Sequence, residues 1–464
     1  MSEIARKDAV QSRPYAILKV GETASLSHTV DQRDFDLFSA AVSGLGHSAL
    51  NLEVTDTDPA MLQLNWAAGF LSLLVGTRLP GLGSQILSQN LTFGLPPRDG
   101  DVITASITLK ERNEAARSVT FQCSCTDQNN NAILTGTLEV LPPKIGLVPS
   151  EERVPRVRVE RHERIRAIVA RAQTDQPVAT AVVMPVDEVS LNGALEAYNA
   201  RLIRPILVGP TDVICAAAQR GNIDISNCRL FNSPDGASAA ASAVEMARTG
   251  DVALIMKGDL HTDVLMHPVM ASATGLRTAR RISHVFVIDA PDYPRLLLVT
   301  DAAINIAPTL LDKVDIVQNA IHLAHILGIE VPKVAILSAV ELVNDRLQST
   351  LDAAALCKMA DRGQIKGGLL DGPLAFDNAI SEAAAKEKGI VSPVAGQADI
   401  LIVPDLEAGN MLAKQLTFLA GAEAAGVVVG ARVPIILTSR ADSAAARLAS
   451  CAVAVLMARS GSGT

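Results

Sequence analysis

Residues 430–443 read GARVPIILTSRADS, and this stretch decides the fold expected for the C-terminal part of the chain. The apolar run Val433–Leu437 predicts a buried strand, and the alanine-rich segment after residue 443 predicts a helix. In a parallel α/β sheet, ligands bind where a strand ends and the next helix begins. Backbone N–H groups at that helix end, together with an arginine side chain, suit an anion. The stretch therefore predicts an anion site containing Ser439 and Arg440. Alternatively, Ser439 and Asp442 only cap the helix and Arg440 is a surface charge.

Short apolar runs alternate with segments of helical length throughout residues 180–438. Alternation of this kind is typical of a largely parallel sheet covered by helices. Over roughly 285 residues it predicts two α/β lobes. The predicted strands include Val252–Met256, Arg295–Thr300, Val334–Ser338 and Ile400–Val403, and Leu310–Leu327 is a predicted helix.

Polar side chains follow four of the predicted strands. They are Lys257, Asp301, Asn305, Asp371, Asp405, Glu407 and Asn410. A turn or a helix cap explains each of them singly. Because ligands of such folds collect at one edge of the sheet, their joint occurrence predicts a substrate-binding site on that edge.

Residues 1–145 have a different pattern, with one apolar segment of helical character from Pro59 to Leu74. Three later runs alternate apolar with small or polar residues and predict strands over Ile103–Leu109, Ser118–Ser124 and Ala132–Leu141. One helix followed by a meander predicts an α+β domain in which an antiparallel sheet wraps the helix. Prolines and dense charge mark residues 146–176 as a linker with a connecting helix, so a second domain is expected over residues 177–464.

Composition narrows the class of protein. Apolar residues make up 48% of the 464 and aromatic residues 3%, which suits an aliphatic α/β core. A net charge of −8 gives no reason to expect nucleic-acid binding. The six cysteines show no zinc spacing, and neither a signal peptide nor a bilayer-spanning apolar run is evident. We therefore expect a soluble cytoplasmic protein with reduced thiols.

Several long motifs between residues 178 and 458 resemble the phosphate acetyltransferase and phosphate butyryltransferase family. They include KGDLHTDVLMH, SHVFVIDAPDYPRLLLVTDAAINIAP, SPVAGQADILIVPDLEAGNMLAKQL and GARVPIILTSRADS. The resemblance implies reversible transfer of an acyl group between coenzyme A and inorganic phosphate. Coenzyme A is then a substrate, and neither a metal nor a tightly bound cofactor is expected. The resemblance also implies a fold similar to that of isocitrate dehydrogenases, with two α/β lobes and the active site in the cleft between them.

The same resemblance assigns roles to residues that bind the anion. It places Ser439 and Arg440 in the motif that holds the phosphate and the acyl carbonyl oxygen. His267 stands where many relatives have an arginine that contacts phosphate. A neutral histidine is the weaker phosphate clamp, so this departure puts rate and substrate in doubt more than reaction class.

The catalytic base does not transfer by alignment. In the acetyltransferases it is an aspartate seven residues beyond the motif serine, and Ala446 occupies that position here. Attack by the thiol of coenzyme A requires a proton acceptor, so Asp442 is the expected substitute. The competing candidates are Asp405, Glu407 and Asp301.

Residues 17–142 resemble the hot-dog fold of MaoC-type (R)-specific enoyl-CoA hydratases, most clearly in VGTRLPGLGSQILSQNLTFGLPPRDGDVITASITLKER. That family has a motif of the form S-G-D-x-N-P-x-H, whose aspartate and histidine polarise water. Counting from Ser43 and Gly44, Leu45 replaces the aspartate and Leu50 the histidine, while His47 takes the asparagine position. Apolar side chains cannot move protons, so we expect the domain to be degenerate as a hydratase and to dimerise. The expected assembly is a homo-oligomer, a dimer or higher.

Three alternatives remain open on the sequence alone. Loss of chemistry in both parts would leave a non-catalytic acyl-CoA-binding or assembly protein, which Ala446 and His267 favour and the retained TSRADS and VPDLEAGN motifs disfavour. Retained hydratase activity would make the enzyme bifunctional. An NAD-dependent decarboxylating dehydrogenase on the related two-lobed fold is the third, but nothing in the chain resembles the metal-binding aspartates and nucleotide loop of that family.

Overall fold

The computed structural model describes residues 12–43, 59–144, 162–437 and 442–461. The chain divides into two compact units, an N-terminal unit of residues 1–159 and a C-terminal unit of residues 160–464. Several residues discussed above lie outside the described ranges: Leu45, His47, Leu50, Ser439 and Arg440.

The N-terminal unit contains two described α-helices and one five-stranded sheet. The helices are α1 (Gln32–Ser43) and α2 (Pro59–Thr77), and the strands are β1 (Thr23–Thr29), β2 (Gln85–Phe93), β3 (Val102–Asn113), β4 (Ser118–Thr126) and β5 (Ala132–Leu141). The strand order is β1-β3-β4-β5-β2, and every neighbouring pair is antiparallel.

The core of this unit lies between α2 and the sheet. Alternate residues of β3 point inward and bury Ile103, Ile107 and Leu109, and α2 adds Leu71 and Leu74 to the same cluster. Helix α2 contacts all five strands. The prediction of a helix wrapped by an antiparallel sheet is therefore confirmed, and this is the hot-dog arrangement that the sequence resemblance implies.

The sequence pattern does not reveal β1, α1 or β2. The two strands read TASLSHT and QILSQNLTF, and both lie at the edges of the sheet with many exposed side chains. An edge strand made largely of polar, exposed residues lacks the clear apolar alternation that marks a half-buried strand.

Residues Ala60–Thr77 of α2 are long and apolar enough to cross a membrane by length and composition, with a mean hydropathy of 1.3. The expectation from the sequence concerned an uninterrupted apolar run, and Gln63 and Asn65 interrupt this one. In the structure, α2 is the helix around which the antiparallel sheet is built, and this position accounts for its apolar residues.

The C-terminal unit contains eleven described α-helices and one eleven-stranded sheet. The helices are α3 (Glu163–Ala172), α4 (Glu188–Asn199), α5 (Thr211–Arg220), α6 (Gly236–Thr249), α7 (Thr262–Val269), α8 (Leu310–Leu327), α9 (Gln348–Asp361), α10 (Phe376–Ile380), α11 (Glu382–Glu387), α12 (Leu406–Leu419) and α13 (Ala444–Arg459). The strands are β6 (Val178–Val183), β7 (Ile203–Gly209), β8 (Arg229–Asn232), β9 (Leu254–Lys257), β10 (Ser283–Asp289), β11 (Leu297–Thr300), β12 (Lys333–Leu337), β13 (Leu369–Leu374), β14 (Ile400–Ile402), β15 (Glu423–Val429) and β16 (Ile435–Ile436). Their order in the sheet is β13-β12-β14-β11-β10-β15-β16-β9-β6-β7-β8.

The strands of this sheet form two parallel groups that run in opposite directions. One group is β6, β7, β8, β9 and β16, and the other is β11, β12, β13 and β14. Between the groups, β16 pairs antiparallel with β15, β15 with β10, and β10 with β11. Three successive reversals leave the groups antiparallel to each other. The prediction of a parallel sheet is correct within each group, but the whole sheet is mixed and continuous.

Opposite strand directions divide the predicted site residues between two edges of the sheet. Strands β9 and β16 end at one edge, called the Lys257 edge after the last residue of β9. Strands β11 and β14 end at the other edge, called the Asp301 edge, where Asn305 and Asp405 also lie. Asp371 lies within β13. The prediction that all these residues share one edge is wrong, because apolar runs do not reveal the direction of β10 and β15.

Candidate functional site

Three neighbouring strands bring their loops together at the Lys257 edge. The register pairs Val183 of β6 with Lys257 of β9, and Met256 of β9 with Ile436 of β16. Leu437 therefore leaves β16 at the level of Lys257. The segment that continues into residues 438–441 starts beside the loop that begins at Lys257.

The loop after β9 is held tightly against the end of β6. The Gly258 N–H donates to the Val183 carbonyl oxygen at 2.8 Å, and the Asp259 N–H donates to the Met184 carbonyl oxygen at 2.7 Å. A Cβ at residue 258 would lie 2.5 Å from the Met184 oxygen, so glycine is required there. Met184 has a left-handed φ of 56°, a conformation that is costly for its side chain and is often retained at functional sites.

Two of the predicted substrate-binding residues, Lys257 and His267, occupy different positions. Lys257 is half-buried, and its Nζ donates to the carbonyl oxygens of Leu260 at 3.0 Å and Gly258 at 3.3 Å. The ammonium group thus lies over the loop at the Lys257 edge. His267 is exposed near the C-terminal end of α7.

Helix α13 begins at this edge with a serine cap. The Ser443 Oγ accepts the Ala446 N–H at 2.9 Å and donates to Glu423 Oε1 at 2.8 Å. The alternative in which Asp442 caps this helix is therefore wrong, since Asp442 precedes the cap and is half-buried. The Asp442 backbone oxygen accepts a hydrogen bond from Arg447 Nη1 at 2.7 Å. The methyl group of Ala446 is buried and has no proton-accepting atom.

The carboxylate of Asp301 is buried and hydrogen-bonded through both oxygens. Oδ1 accepts the N–H groups of Ala303 and Ile304 at 3.0 and 3.1 Å, and Oδ2 accepts the backbone N–H and side-chain Nδ2 of Asn305 at 3.1 and 2.5 Å. The Asn305 Oδ1 in turn accepts Arg281 Nε at 2.6 Å. Four donors on one carboxylate shape the loop after β11.

Helix α12 supports the same loop. Asp405 is its N-cap and accepts the Ala408 N–H at 2.9 Å. The Asn410 Nδ2 donates to the Ala302 carbonyl oxygen at 3.2 Å, and Glu407 is exposed. The capping alternative is thus observed for Asp405, whereas it is excluded for Asp442.

The cysteines of the C-terminal unit nearest these elements do not suit nucleophilic catalysis. Burial raises the pKa of Cys357 to about 12, and the nearby charge of Asp371 adds to the effect. Burial also raises the pKa of Cys451 to about 12. Asp371 itself accepts the adjoining Gly372 N–H at 2.9 Å. Because the thiolate is the reactive form, these two thiols are inert at neutral pH.

His284 is a buried histidine that the sequence pattern does not single out. It lies on β10, is 1% exposed, and contacts Phe286 edge to face at a ring separation of 4.5 Å. Its Nδ1 has no hydrogen-bond partner among the described residues. Burial lowers the pKa of His284 to about 4, and the charge of Asp301 opposes that shift. The ring is therefore neutral at pH 7 and lies behind the Asp301 loop.

The N-terminal unit also brings a histidine and an aspartate together. His28 Nε2 and Asp34 Oδ2 are 2.7 Å apart, and the His28 ring lies beside Trp66 and Phe70. Asp34 also accepts the Asp31 N–H at 3.0 Å, as a residue in the first turn of α1 does in a capping box. The pair lies outside the motif in which Leu45 and Leu50 stand, and the short turn between β1 and α1 brings it together.

Among the residues that the structure describes, no group of three or more His, Cys, Asp or Glu side chains is arranged to hold a metal ion.

The fold and the geometry of the Lys257 edge define an α/β protein with a strand-end site of the kind that suits an anion. A family model described as "Phosphate acetyl/butaryl transferase" matches residues 236–455. The chain is 60% identical over 291 residues to a phosphate acetyltransferase from Rhizobium meliloti, covering 63% of this chain and 92% of that protein. It is 42% identical over 291 residues to a phosphate butyryltransferase from Clostridium acetobutylicum, covering 63% of this chain and 97% of that protein.

The C-terminal unit is also similar to a solved structure, that of a branched-chain phosphotransacylase from Enterococcus faecalis V583. The TM-score is 0.54 at 30% identity, covering 61% of this chain and 99% of that chain. The chain belongs to the phosphate acetyl/butyryltransferase family. The family resemblance drawn from its motifs is confirmed, and the C-terminal unit has a phosphotransacylase fold.

Proposed function

We propose that the protein catalyses acyl-CoA + phosphate ⇌ acyl phosphate + coenzyme A. The observation that carries the proposal is the similarity to a phosphate acetyltransferase over 92% of its length. The match of the family model, residues 236–455, includes the junction between β16 and α13. The register of that junction against β9 supports it, because a lysine loop and a capped helix N-terminus begin at the same edge. Both features suit a phosphate group.

The anion is held at the Lys257 edge in this proposal. Ser439 and Arg440 bind the phosphate and the acyl carbonyl oxygen, and the guanidinium supplies two parallel hydrogen bonds to the anion. Lys257 adds positive charge from the neighbouring strand. His267 serves as the weaker substitute for an arginine.

Asp442 is the proposed base that accepts the proton of the coenzyme A thiol. It directly follows the anion-binding segment, and Ser443 relieves it of capping α13. The competing candidates are less suitable. The carboxylates of Asp301 and Asp405 are engaged by backbone N–H groups, and Glu407 lies on α12 beyond β14, at the Asp301 edge.

The residues at the Asp301 edge have a supporting role in the proposed mechanism. Their hydrogen bonds favour shaping of the substrate site over direct proton transfer. The group comprises Asp301, Asn305, Asp405, Glu407 and Asn410, and Asp371, which lies within β13, is proposed to support them. An isocitrate dehydrogenase-like cleft, in which both parallel groups of strands face the substrate, is the arrangement that would let them contact it.

The acyl group is proposed to be short, with acetyl preferred over butyryl. The preference rests on identities of 60% to the acetyltransferase and 42% to the butyryltransferase over matches of equal length. Coenzyme A is a substrate, and no tightly bound cofactor is needed. We place the enzyme in the cytoplasm as a homo-oligomer, with the hot-dog domain serving in dimerisation and not in hydration.

Purified protein should release the free thiol of coenzyme A when acetyl-CoA and phosphate are supplied together, and not when either is supplied alone. Acetyl-CoA should give a higher kcat/KM than butyryl-CoA. Crotonyl-CoA should keep its enoyl absorbance when incubated with the full-length protein. Binding of acyl-CoA without phosphate-dependent release would instead establish the non-catalytic alternative. Loss of the enoyl absorbance in proportion to enzyme would establish the bifunctional one.

A further inference from the structure

Arg447 in the first turn of α13 combines three locally unfavourable features. A cation near a helix N-terminus opposes the helix dipole, which favours negative charge there. Its Nε is buried and has no hydrogen-bond partner among the described residues. The side chain also depends on a glycine, Gly193, in the interior of α4. A residue that combines several locally unfavourable features, with no evident gain in stability, is expected at a functional position.

The guanidinium of Arg447 holds the end of the anion-binding segment. Its Nη1 donates to the backbone oxygen of Asp442 at 2.7 Å, so the side chain reaches back across the start of the helix. Ser443, the next residue, is held by Ala446 and Glu423. Residue 442 is therefore anchored by a side chain from the helix, and residue 443 by its own cap.

Gly193 provides the space for this side chain. A Cβ at residue 193 would lie 3.1 Å from Arg447 Nε and 3.2 Å from its Cδ, which is closer than ordinary van der Waals contact. A glycine inside a helix is destabilising relative to alanine, because the unfolded chain gains conformational freedom. The Arg447 side chain that lies against residue 193 explains why a glycine occupies this point of α4.

We propose that Arg447 is a positioning residue for phosphate binding, which acts through the Asp442 carbonyl and requires the space left by Gly193. The inference rests on the proposed function, because it assigns the 438–442 segment to phosphate. The charge of Arg447 also offsets part of the negative charge that phosphate brings to this end of α13.

A double-mutant cycle between residues 193 and 447 tests the inference. Arg447→Ala should lower kcat/KM for phosphate by about 10- to 100-fold, since a displacement of about 1 Å at a reacting group has an effect of that size. The change should appear mainly in the KM for phosphate, with the KM for acyl-CoA nearly unchanged. Arg447→Lys should recover part of the loss, because it keeps the charge and one donor.

Gly193→Ala should lower kcat/KM for phosphate by about three- to tenfold in the wild-type background, since the added methyl group displaces the guanidinium. In the Arg447→Ala background the same change should have no further effect, because the group that it displaces is gone. Gly69→Ala, in α2, is the matched control, since a Cβ there meets nothing within 4 Å. Its kinetics should equal those of the wild type.

Inorganic phosphate should raise Tm, because a ligand stabilises the folded state that binds it. This rise should be smaller in Gly193→Ala and in Arg447→Ala than in the wild type, and no smaller in the double variant than in Arg447→Ala. Equal losses from Gly193→Ala in both backgrounds would overturn the inference, as would an unchanged phosphate KM in Arg447→Ala. Wild-type turnover decides the proposed function separately. If phosphate stabilises the wild type but the wild type lacks turnover, the proposed function is wrong. The double-mutant cycle, measured as the phosphate-induced rise in Tm, then decides the role of Arg447. A wild type with neither property would overturn both.

Discussion

The Lys257 edge and the Asp301 edge belong to one sheet, but the helices that follow their strands are capped by different residues. At the Asp301 edge, Asp301 accepts four N–H donors and Asp405 caps α12. At the Lys257 edge, a serine caps α13, and the aspartate before it is left outside the helix. Carboxylates that follow strand ends therefore differ in whether they cap the next helix: Asp405 caps α12, and Asp442 does not cap α13.

A carboxylate that could act as an acid or base differs from a structural carboxylate in the groups that its oxygens contact. A carboxylate that accepts several backbone donors organises a loop, and its removal leaves those donors buried without partners. A carboxylate that serves as a base needs an oxygen that faces the substrate.

Asp442→Asn should lower kcat for phosphate-dependent thiol release by about 10²- to 10⁴-fold, the range for loss of a positioned base. The cap of α13 should be kept, because Ser443 provides it. Asp405→Asn is the matched control, since asparagine also caps helices, and it should retain turnover. Full turnover in Asp442→Asn would show that Asp442 is not the base, and the proposed difference between the two edges would then be wrong.

Asp301→Ala should lower the free energy of unfolding by about 3 kcal/mol or more, because four donors lose their acceptor and those in the buried loop cannot all reach water. Chemical denaturation of the wild type and the variant measures the difference. A variant of wild-type stability that has lost turnover would show that Asp301 acts in catalysis, and the two edges would then share the chemistry.

His284 predicts a pH dependence of stability at the Asp301 edge. Its pKa is lowered by burial to about 4 from an ordinary 6.5, so between those values the unfolded chain binds a proton that the folded chain does not. Stability is therefore lost as pH falls from 6.5 towards 4, by at most about 3 kcal/mol. In His284→Phe this loss should disappear, as shown by the difference between the two denaturation profiles over that pH range. Parallel profiles would show that His284 gains a proton without unfolding.

Arg440→Lys tests whether the anion binds at the Lys257 edge. It should have the smallest of these effects. The charge is retained but the planar fork is lost, so kcat/KM for phosphate should fall by about 10- to 100-fold. The KM for acyl-CoA should change little. Steady-state kinetics like those of the wild type, in an active preparation, would place the phosphate elsewhere.

Much of the fold could be predicted from periodicity and composition. The helix Pro59–Thr77 and strands β3 to β5 match their predicted segments, because alternation and helical spacing directly reflect one buried face. Strands β1 and β2 could not be predicted, because edge strands bury little apolar surface. The motif at residues 430–443 identified the family, because its residue types and their spacing can be read from the sequence without knowledge of the fold.

By itself, the sequence determined the two-part organisation, the aliphatic α/β core and the reaction class, since each is expressed in local patterns or in long motifs. Only the tertiary structure decided that β10 and β15 reverse the sheet and that Asp301 is enclosed by N–H donors. It also decided that Ser443 caps α13 and that Gly193 makes room for Arg447. The physical reason is that strand direction and hydrogen-bond partners depend on residues far apart in the chain. Hydrophobic periodicity reports which side of an element is buried, but not which group it meets there.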